Sequence, residues 1–310
     1  MTGLAWQPVT RLHDDQVDTD IDLVRRLLAE QAPQWAGLPL SRVSEFGTDH
    51  HLYRLHKQGV DDLVARMPII GWAVDQARSD ATWLPRLAPY LPVALPAPDF
   101  VGEPGCGYPF PWTVAPWLAG ANPTTENVDP AALAADLAGF VRALHAVDLS
   151  GGPVKGGTAR GAPLAGCDEG VRRTLAASPA LADIKDRVLA VWEDAVAAPA
   201  HDGPHVWIHG DLMAGNLLVD DGRLSAVIDW GGLGLGDPAP DLCPAFWLFG
   251  GATRADYLAA VGYDDATRRR ARGWIIAPAV NGVDYYAETF PAMARVARSS
   301  IEAVVDDLGA

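Results

Sequence analysis

The chain is poor in several things whose scarcity narrows what it can be. It holds three cysteines, Cys106, Cys167 and Cys243, odd in number, far apart and without a C-x-x-C. Neither a disulfide framework nor a zinc site is expected from them, only reduced thiols in small buried or half-buried positions. No uncharged apolar run is long enough to span a bilayer, and the amino terminus MTGLAWQPVTRLHDD lacks the basic-then-apolar order of a signal peptide. The expectation is a cytoplasmic protein with no membrane partner. Basic charge is scarce too: 24 Lys and Arg stand against 39 Asp and Glu, a formal net charge of −15. Affinity for nucleic acid rests on cationic contacts to phosphate, so no nucleic-acid partner is expected. An acidic surface suits a cationic substrate and equally serves solubility. His201 and His205 are separated by Gly203-Pro204 and cannot share a helical face, so metal binding is not expected there.

What is present is enough for a substantial core, with 49% hydrophobic residues in a chain of 310, as one large or two smaller domains. The most informative stretch is Val206 to Leu242, VWIHGDLMAGNLLVDDGRLSAVIDWGGLGLGDPAPDL. An apolar run delivers His209-Gly210-Asp211 to a loop, and Asn216 leads directly into the strand-like LLV. A turn at Asp220-Asp221-Gly222 then returns the chain through LSAVI to Asp229. Such a hairpin holds Asp211, Asn216 and Asp229 at one mouth. A carboxylate and an amide oxygen are hard ligands suited to Mg²⁺, which is usually shared with substrate phosphates. A second carboxylate left free of metal can accept the proton of an attacking hydroxyl. The order Asp, four residues, Asn, strand, turn, strand, Asp is that of the phosphotransfer template.

On these residues the chain resembles the aminoglycoside phosphotransferase family of small-molecule kinases, which shares the protein-kinase fold. HGDLMAGN looks like the family's catalytic loop, IDW its metal-binding segment and GDPAPDL the element that follows. The resemblance implies an α+β, bilobal protein-kinase-like fold. Residues 1–116 would form a small nucleotide-binding lobe, an antiparallel sheet with one helix. Residues 117–310 would form a large, mainly helical lobe with the catalytic loop and acceptor site. It further implies Asp211 as catalytic base, Asn216 and Asp229 as Mg²⁺ ligands, His209 as a structural brace, and ATP or GTP as phosphoryl donor. Two departures stand out: Met213-Ala214 replaces the His-Pro of HGDLHPGN, and Gly232 stands where an acid often follows.

Along the chain, Asp20 to Gln31 reads as an amphipathic helix, with Ile21, Val24, Leu27 and Leu28 on one face. Strands are expected at Leu40–Phe46, His51–His56, Asp62–Met67, Pro92–Val101 and Trp112–Trp117, with a helix over Ala73–Leu87 between the third and fourth. By the resemblance, Thr48 and the backbone at Gly47 would cover the nucleotide phosphates. Arg66 stands where kinases carry the strand Lys, its fork able to hold phosphate bidentately. Asp80 would be its helix partner, and Trp117 would lie in the hinge that meets the base. A helix over Pro130–Val147, capped by Asp129, leads into the Gly- and Pro-rich residues 151–166, expected to be a mobile loop. Further helices are expected at Asp168–Ala177, Leu181–Ala197, Pro238–Phe249, Arg254–Val261, Asp265–Glu288 and Pro291–Leu308.

Seven residues separate Asp229 from Asp237, too few for the activation loop with which protein kinases bind peptide. The acceptor is then a small hydroxyl compound. Candidate acceptor residues are Trp230, Asp284, Tyr285 and Glu288, the last three one turn apart on one expected helix, although a solvated helix face reads the same way. Asp241 reads as a helix-capping structural acid. Three functions remain open: an O-phosphotransferase acting on aminoglycosides or related antibiotics, a metabolic kinase for a sugar, amino alcohol or nucleoside-like acceptor, and a nucleotide-binding pseudokinase. The enzyme would act as a monomer or homodimer.

Overall fold

The protein is described by a computed structural model over residues 15–43 and 49–308. Thr48 and Gly47, expected to cover the nucleotide phosphates, lie outside the described residues. The first helix, α1 (Ile21–Gln31), opens at Asp20, whose carboxylate accepts from Leu23 N at 2.7 Å and satisfies one of the first-turn amides. Five strands follow: β1 (Leu40–Arg42), β2 (His50–Leu55), β3 (Leu63–Pro68), β4 (Phe100–Gly102) and β5 (Trp112–Pro116). They form one antiparallel sheet in the order β1-β2-β3-β5-β4. Along β2 buried and half-buried residues alternate, as a one-faced strand requires, whereas the central β3 is buried throughout. The buried face of α1 packs on Tyr53, Leu55, Met67, Trp112 and Val114 to form the small lobe's own core.

The expected strand Pro92–Val101 is mostly not one. Pro92, Pro96 and Pro98 offer no N–H to a ladder, and only the end of the segment enters β4. Ahead of it, Ala94 pairs instead with the carboxy-terminal half of the chain, donating to Ser225 O at 2.9 Å. Helix α2 (Gln76–Leu87) also reaches across: its Leu84 and Leu87 belong to the large lobe's core while its Asp80 lies under β3.

The large lobe runs α3 (Pro130–His145), α4 (Asp168–Ala177), α5 (Lys185–Ala197), strands β6 (Val206–Ile208), β7 (Leu217–Asp220), β8 (Arg223–Val227) and β9 (Gly234–Gly236), then α6 (Pro244–Trp247), α7 (Gly251–Val261), α8 (Asp265–Tyr285) and α9 (Pro291–Leu308). Strands β7 and β8 form the expected hairpin, closed by Asp221 and Gly222, both at positive φ, the signature of a turn whose twist matches the strands. β6 pairs with β9. Five helices differ from expectation by three residues or more, with α2 starting at Gln76 and α7 at Gly251. α5 starts at Lys185, after a turn at Leu181–Ile184; the stretch after Asp237, carrying Pro240 and Pro244, breaks into a 3-10 turn and the short α6; and α8 ends at Tyr285. Cys106 is exposed, with its thiol donating to Glu30, while Cys167 and Cys243 are buried free thiols. No helix among the described residues is long and apolar enough to cross a membrane.

The small lobe carries a pH-dependent weak point. His51 Nδ1 lies 2.7 Å from Thr19 Oγ1, which also meets Tyr53 OH at 2.9 Å. Burial first, then the Arg42 guanidinium, push the imidazole down to about 4 against the opposing pull of Asp18. An unfolded His titrates near 6.5, so between there and about 4 the unfolded chain binds the extra proton. Stability is therefore complete above that window and falls as pH drops through it, by on the order of 2–3 kcal/mol. Urea titrations at stepped pH should show this loss and show it reduced in His51→Gln; parallel curves for the two proteins would remove His51 as the cause.

Candidate active site

The catalytic loop begins where β6 runs out. His209 is fully buried, and its ring packs edge-on against Trp230 at 4.8 Å. Asp211 N donates to His209 Nδ1 at 3.1 Å, so the ring proton sits on Nε2 and is donated to Ile228 O at 3.1 Å. This neutral tautomer braces the loop and touches nothing that reacts. Below it Asp241, fully buried, accepts from His209 N at 2.9 Å, from Gly210 N at 2.7 Å and from His145 Nε2 at 3.1 Å. Asp241 is thus structural, as expected, but it caps a loop and not a helix. His145 is held by Tyr263 OH at 2.9 Å, and neither partner was legible in the sequence.

From Asp211 the chain turns through Met213 N→Asp211 O and Asn216 N→Met213 O, at 2.8 and 2.9 Å. Asn122, across the lobe, donates to the carbonyls of Ala214, Gly215 and Leu217 and clamps the turn. Asn216 spends its amide hydrogens inward, on Asp211 O at 2.8 Å and Asp211 Oδ2 at 3.4 Å, which leaves the lone pairs of its Oδ1 free. Ile228 N donates to Asn216 O at 2.9 Å and continues the β7–β8 register past Leu217↔Val227, so Asp229 follows the residue paired with Asn216. Asp229 takes a left-handed backbone, φ 58°, a conformation that costs a non-glycine residue about 1 kcal/mol or more and that Asp tolerates better than most. The structure brings the three residues to one mouth.

Facing them is the small lobe. Arg66 Nη1 donates to Asp80 Oδ2 at 2.9 Å, and Arg66 Nη2 lies 3.9 Å from Asp229 Oδ1, which also accepts from Gln76 Nε2 at 3.2 Å. Burial and the neighbouring Asp229 push the Asp80 carboxyl up to about 6, with Arg66 pulling the other way, and Asp80 Oδ1 has no partner. Asp229 behaves differently. The cleft walls penalise its charge, but Arg66, His50 and Gln76 outweigh them and hold the carboxyl below the usual range, while 48% of its side chain stays accessible. An ionised, accessible carboxylate beside a free amide oxygen is a donor set that fits Mg²⁺, whose remaining positions go to phosphate and water. Among the described residues no group of three or more His, Cys, Asp or Glu suits a metal.

Other expected residues fall elsewhere. Trp230 is buried under His209 and Phe140, with its indole N–H on Val227 O at 2.9 Å, and cannot touch an acceptor. Glu288 lies in the turn beyond α8, so Asp284, Tyr285 and Glu288 do not share one helix. Tyr285 is exposed and edge-on to Tyr286, which Asp49 of the small lobe approaches. Trp117 gives its amide to Asp62 O at 2.9 Å and its ring to the Arg54 guanidinium at 4.5 Å. Residues 151–166 form no α-helix, only the start of a 3-10 turn at Leu164–Cys167, yet they are not a free loop. Lys155 N and Leu235 N exchange bonds with Leu235 O and Pro153 O, and Asp237 N donates to Gly161 O, each at 2.8–2.9 Å. Gly232 is explained as well: a Cβ there would meet His209 O at 2.4 Å, so the loop's backbone and not the substrate mouth excludes a side chain.

With this geometry in view, the sequence model of the phosphotransferase enzyme family matches residues 41–274. The chain belongs to that family. It is a small-molecule phosphotransferase with the protein-kinase-like fold. Among solved structures it is similar to the macrolide 2'-phosphotransferase MphH from Brachybacterium faecium, at 25% identity, covering 91% of this chain and 97% of that one, with a TM-score of 0.61. Aminoglycoside 2'-phosphotransferase-IIIa in its GDP complex shares the fold at 17% identity and TM-score 0.71, covering 92% and 98%. The GDP and kanamycin complex of APH(2")-IIia does so at 18% identity and TM-score 0.68, over 92% and 98%. No curated protein sequence matches the chain.

The family's loop depends here on Asp241. In Asp241→Asn one acceptor oxygen becomes an NH₂ that faces an N–H, and one amide of the pair is stranded. A destabilisation of about 3 kcal/mol is expected in urea unfolding. An unfolding midpoint equal to wild type would refute this account of how the loop is held.

Proposed function

We propose that the protein transfers the terminal phosphoryl group of ATP or GTP to a hydroxyl of a small antibiotic, an aminoglycoside or a related compound. The lobe boundary falls after Pro116. The observation that carries the reading is the meeting of Asp211, Asn216 and Asp229 at the end of one hairpin, opposite the Arg66–Asp80 pair. In this reading Asn216 Oδ1 and the Asp229 carboxylate would hold Mg²⁺, and the ion would supply positive charge against that developing on the phosphates. Arg66 is fixed by Asp80 and directs its second nitrogen to the same side as Asp229, so its fork meets phosphate without first losing rotamer freedom. Trp117 contributes through position and not through its spent amide; the base is met by the backbone after it. Asp211 accepts the proton of the acceptor hydroxyl as its oxygen bonds to phosphorus, and the nucleoside diphosphate leaves in line.

The acceptor class draws support from the neighbours, whose names specify 2'-phosphotransfer to macrolides and aminoglycosides. Tyr285 and Asp284, near the end of α8, stay candidates for its recognition; Trp230 does not.

Asp211→Asn should keep nucleotide binding and lose about 10²- to 10⁴-fold in transfer; wild-type turnover in this variant would take Asp211 out of the mechanism. Asp229→Ala should bind nucleotide equally with and without Mg²⁺, whereas the parent binds more tightly with it. A coupled assay of nucleotide consumption across aminoglycosides, macrolides and simple amino alcohols tests the acceptor. Turnover is expected with an antibiotic, and turnover confined to amino alcohols would make the protein a metabolic kinase.

A further inference from the structure

Residue 160 belongs to none of the motifs that carry the phosphotransfer template, and it sits in the Gly-rich segment read from sequence as a loose connection. Arg160 Nη1 lies 2.5 Å from Asp211 Oδ1 and donates to Gly210 O at 3.1 Å. Asp211 Oδ1 is fully covered, while the Asp211 side chain as a whole keeps 26% of its surface accessible. Oδ1 is therefore covered and met by the Arg160 ion pair without an aligned hydrogen bond, and Oδ2, with a single long contact from Asn216 Nδ2 at 3.4 Å, is the more open of the two.

The arginine is delivered by a backbone that has little freedom. Gly161 has φ +90°, and a Cβ there would meet Ile208 Cδ1 at 2.4 Å, so the segment lies flat on β6 immediately before the catalytic loop. Gly161 O accepts from Asp237 N at 2.9 Å, and Asp237 is itself paired through both oxygens with the buried Arg270. On the other ribbon strand, Cβ atoms at Gly234 and Gly236 would strike Pro153 O at 2.7 Å and Gly161 O at 2.6 Å. Glycine on both sides lets the two backbones approach this closely. Residues 153–161 thus form a strap pinned across β6 and β9, and Arg160 is the polar side chain it extends over Asp211.

We propose that Arg160 is a positioning residue for phosphoryl transfer: it holds Asp211 by Oδ1 and by the Gly210 carbonyl, so that Oδ2 is presented to the acceptor hydroxyl. The proposal rests on Asp211 being the base. The proton passes from acceptor to Oδ2, the acceptor oxygen bonds to phosphorus, and Arg160 keeps its own protons throughout. One guanidinium nitrogen, Nη1, makes both contacts, to the carboxylate and to the carbonyl, and the planar group that carries it fixes its direction where a flexible ammonium would not.

The test compares wild type, Arg160→Ala, Arg160→Lys and Asp211→Asn, using the acceptor that turns over in the screen above and, in parallel, slow hydrolysis of the nucleotide by water. Arg160→Ala should lose about 10- to 10²-fold in kcat, with KM for nucleotide and the thermal unfolding midpoint unchanged. Methylguanidinium added to Arg160→Ala should restore part of kcat, and Arg160→Lys should fall between the two. Wild-type kcat in Arg160→Ala while Asp211→Asn is inert would overturn the positioning role alone. Equal losses in Arg160→Ala and Arg160→Lys with no recovery on methylguanidinium would reduce Arg160 to a structural part of the strap, which also overturns it. Turnover undiminished in Asp211→Asn would mean that the reading of the base had failed, and this proposal with it.

Discussion

The site depends on one buried carboxylate that never meets a substrate. Asp241, without exposed surface, accepts two consecutive backbone amides, those of His209 and Gly210, and a third bond from His145. A carboxylate stripped of water is tolerated only where donors replace the lost hydration, and two amides in series are the geometry a loop presents when it folds around an anion. The loop and the acid thus require each other. With the amides of 209 and 210 turned down to Asp241, the next residue's side chain is turned out of the lobe, and Asp211 occupies that place. His209 repeats the arrangement from above, since its Nδ1 takes the Asp211 amide. Three successive backbone amides are fixed by two buried side chains, which leaves the loop little conformational choice.

The two lobes are coupled by helix α2. Its apolar residues Leu84 and Leu87 are part of the large lobe's core, while its Asp80 is bonded to Arg66 on the central strand of the small lobe's sheet. Arg66 in turn faces Asp229 at 3.9 Å, and Gln76 of the same helix donates to Asp229. A buried ion pair with one orphaned oxygen is a poor source of net stability, because desolvation consumes much of the attraction. What the arrangement supplies is position: the guanidinium is held between two carboxylates, one committed to it and one accessible. The strain at Asp229, a left-handed residue between two backbone-paired neighbours, fits a position whose side-chain direction matters more than its backbone energy.

How much of this the sequence disclosed depended on whether the cause was local. The hairpin was legible because Asp221-Gly222 between two apolar runs is a turn signal with a steric reason, and Asp211, Asn216 and Asp229 fall around it at fixed offsets. The cap of α3 was legible for the same reason: Asp129 does accept from the first-turn amides, whereas Asp20, read as the first residue of its helix, is the cap of α1. The failures were of tertiary origin. Trp230 next to an active-site Asp suggested a surface for a ligand, but its indole is the lid on His209, a fact fixed by packing 21 residues away in sequence. Pro92–Val101 had the apolar content of a strand but too few N–H groups to be one. Arg160, Asn122 and His145 carry no signal at all, since each acts on the catalytic loop across 50 or more residues of chain.

The glycines give the remaining part of the logic. GLGLG at 232–236 mimics a dinucleotide fingerprint, and GGPVKGGTARG reads as flexible linker, yet the two segments explain each other. Gly234 lies against Pro153 O and Gly236 against Gly161 O, while in the other segment Gly152 and Gly161 clear Trp207 and Ile208 of β6; Gly232 clears His209 O. Two glycine-rich stretches far apart in sequence therefore signal a close backbone crossing and not two loose loops. A side chain on either would push the strap away from β9 and carry Arg160 from the carboxylate it covers. In this chain the glycines that leave no polar group at the site thereby hold the strap whose Arg160 covers one oxygen of Asp211.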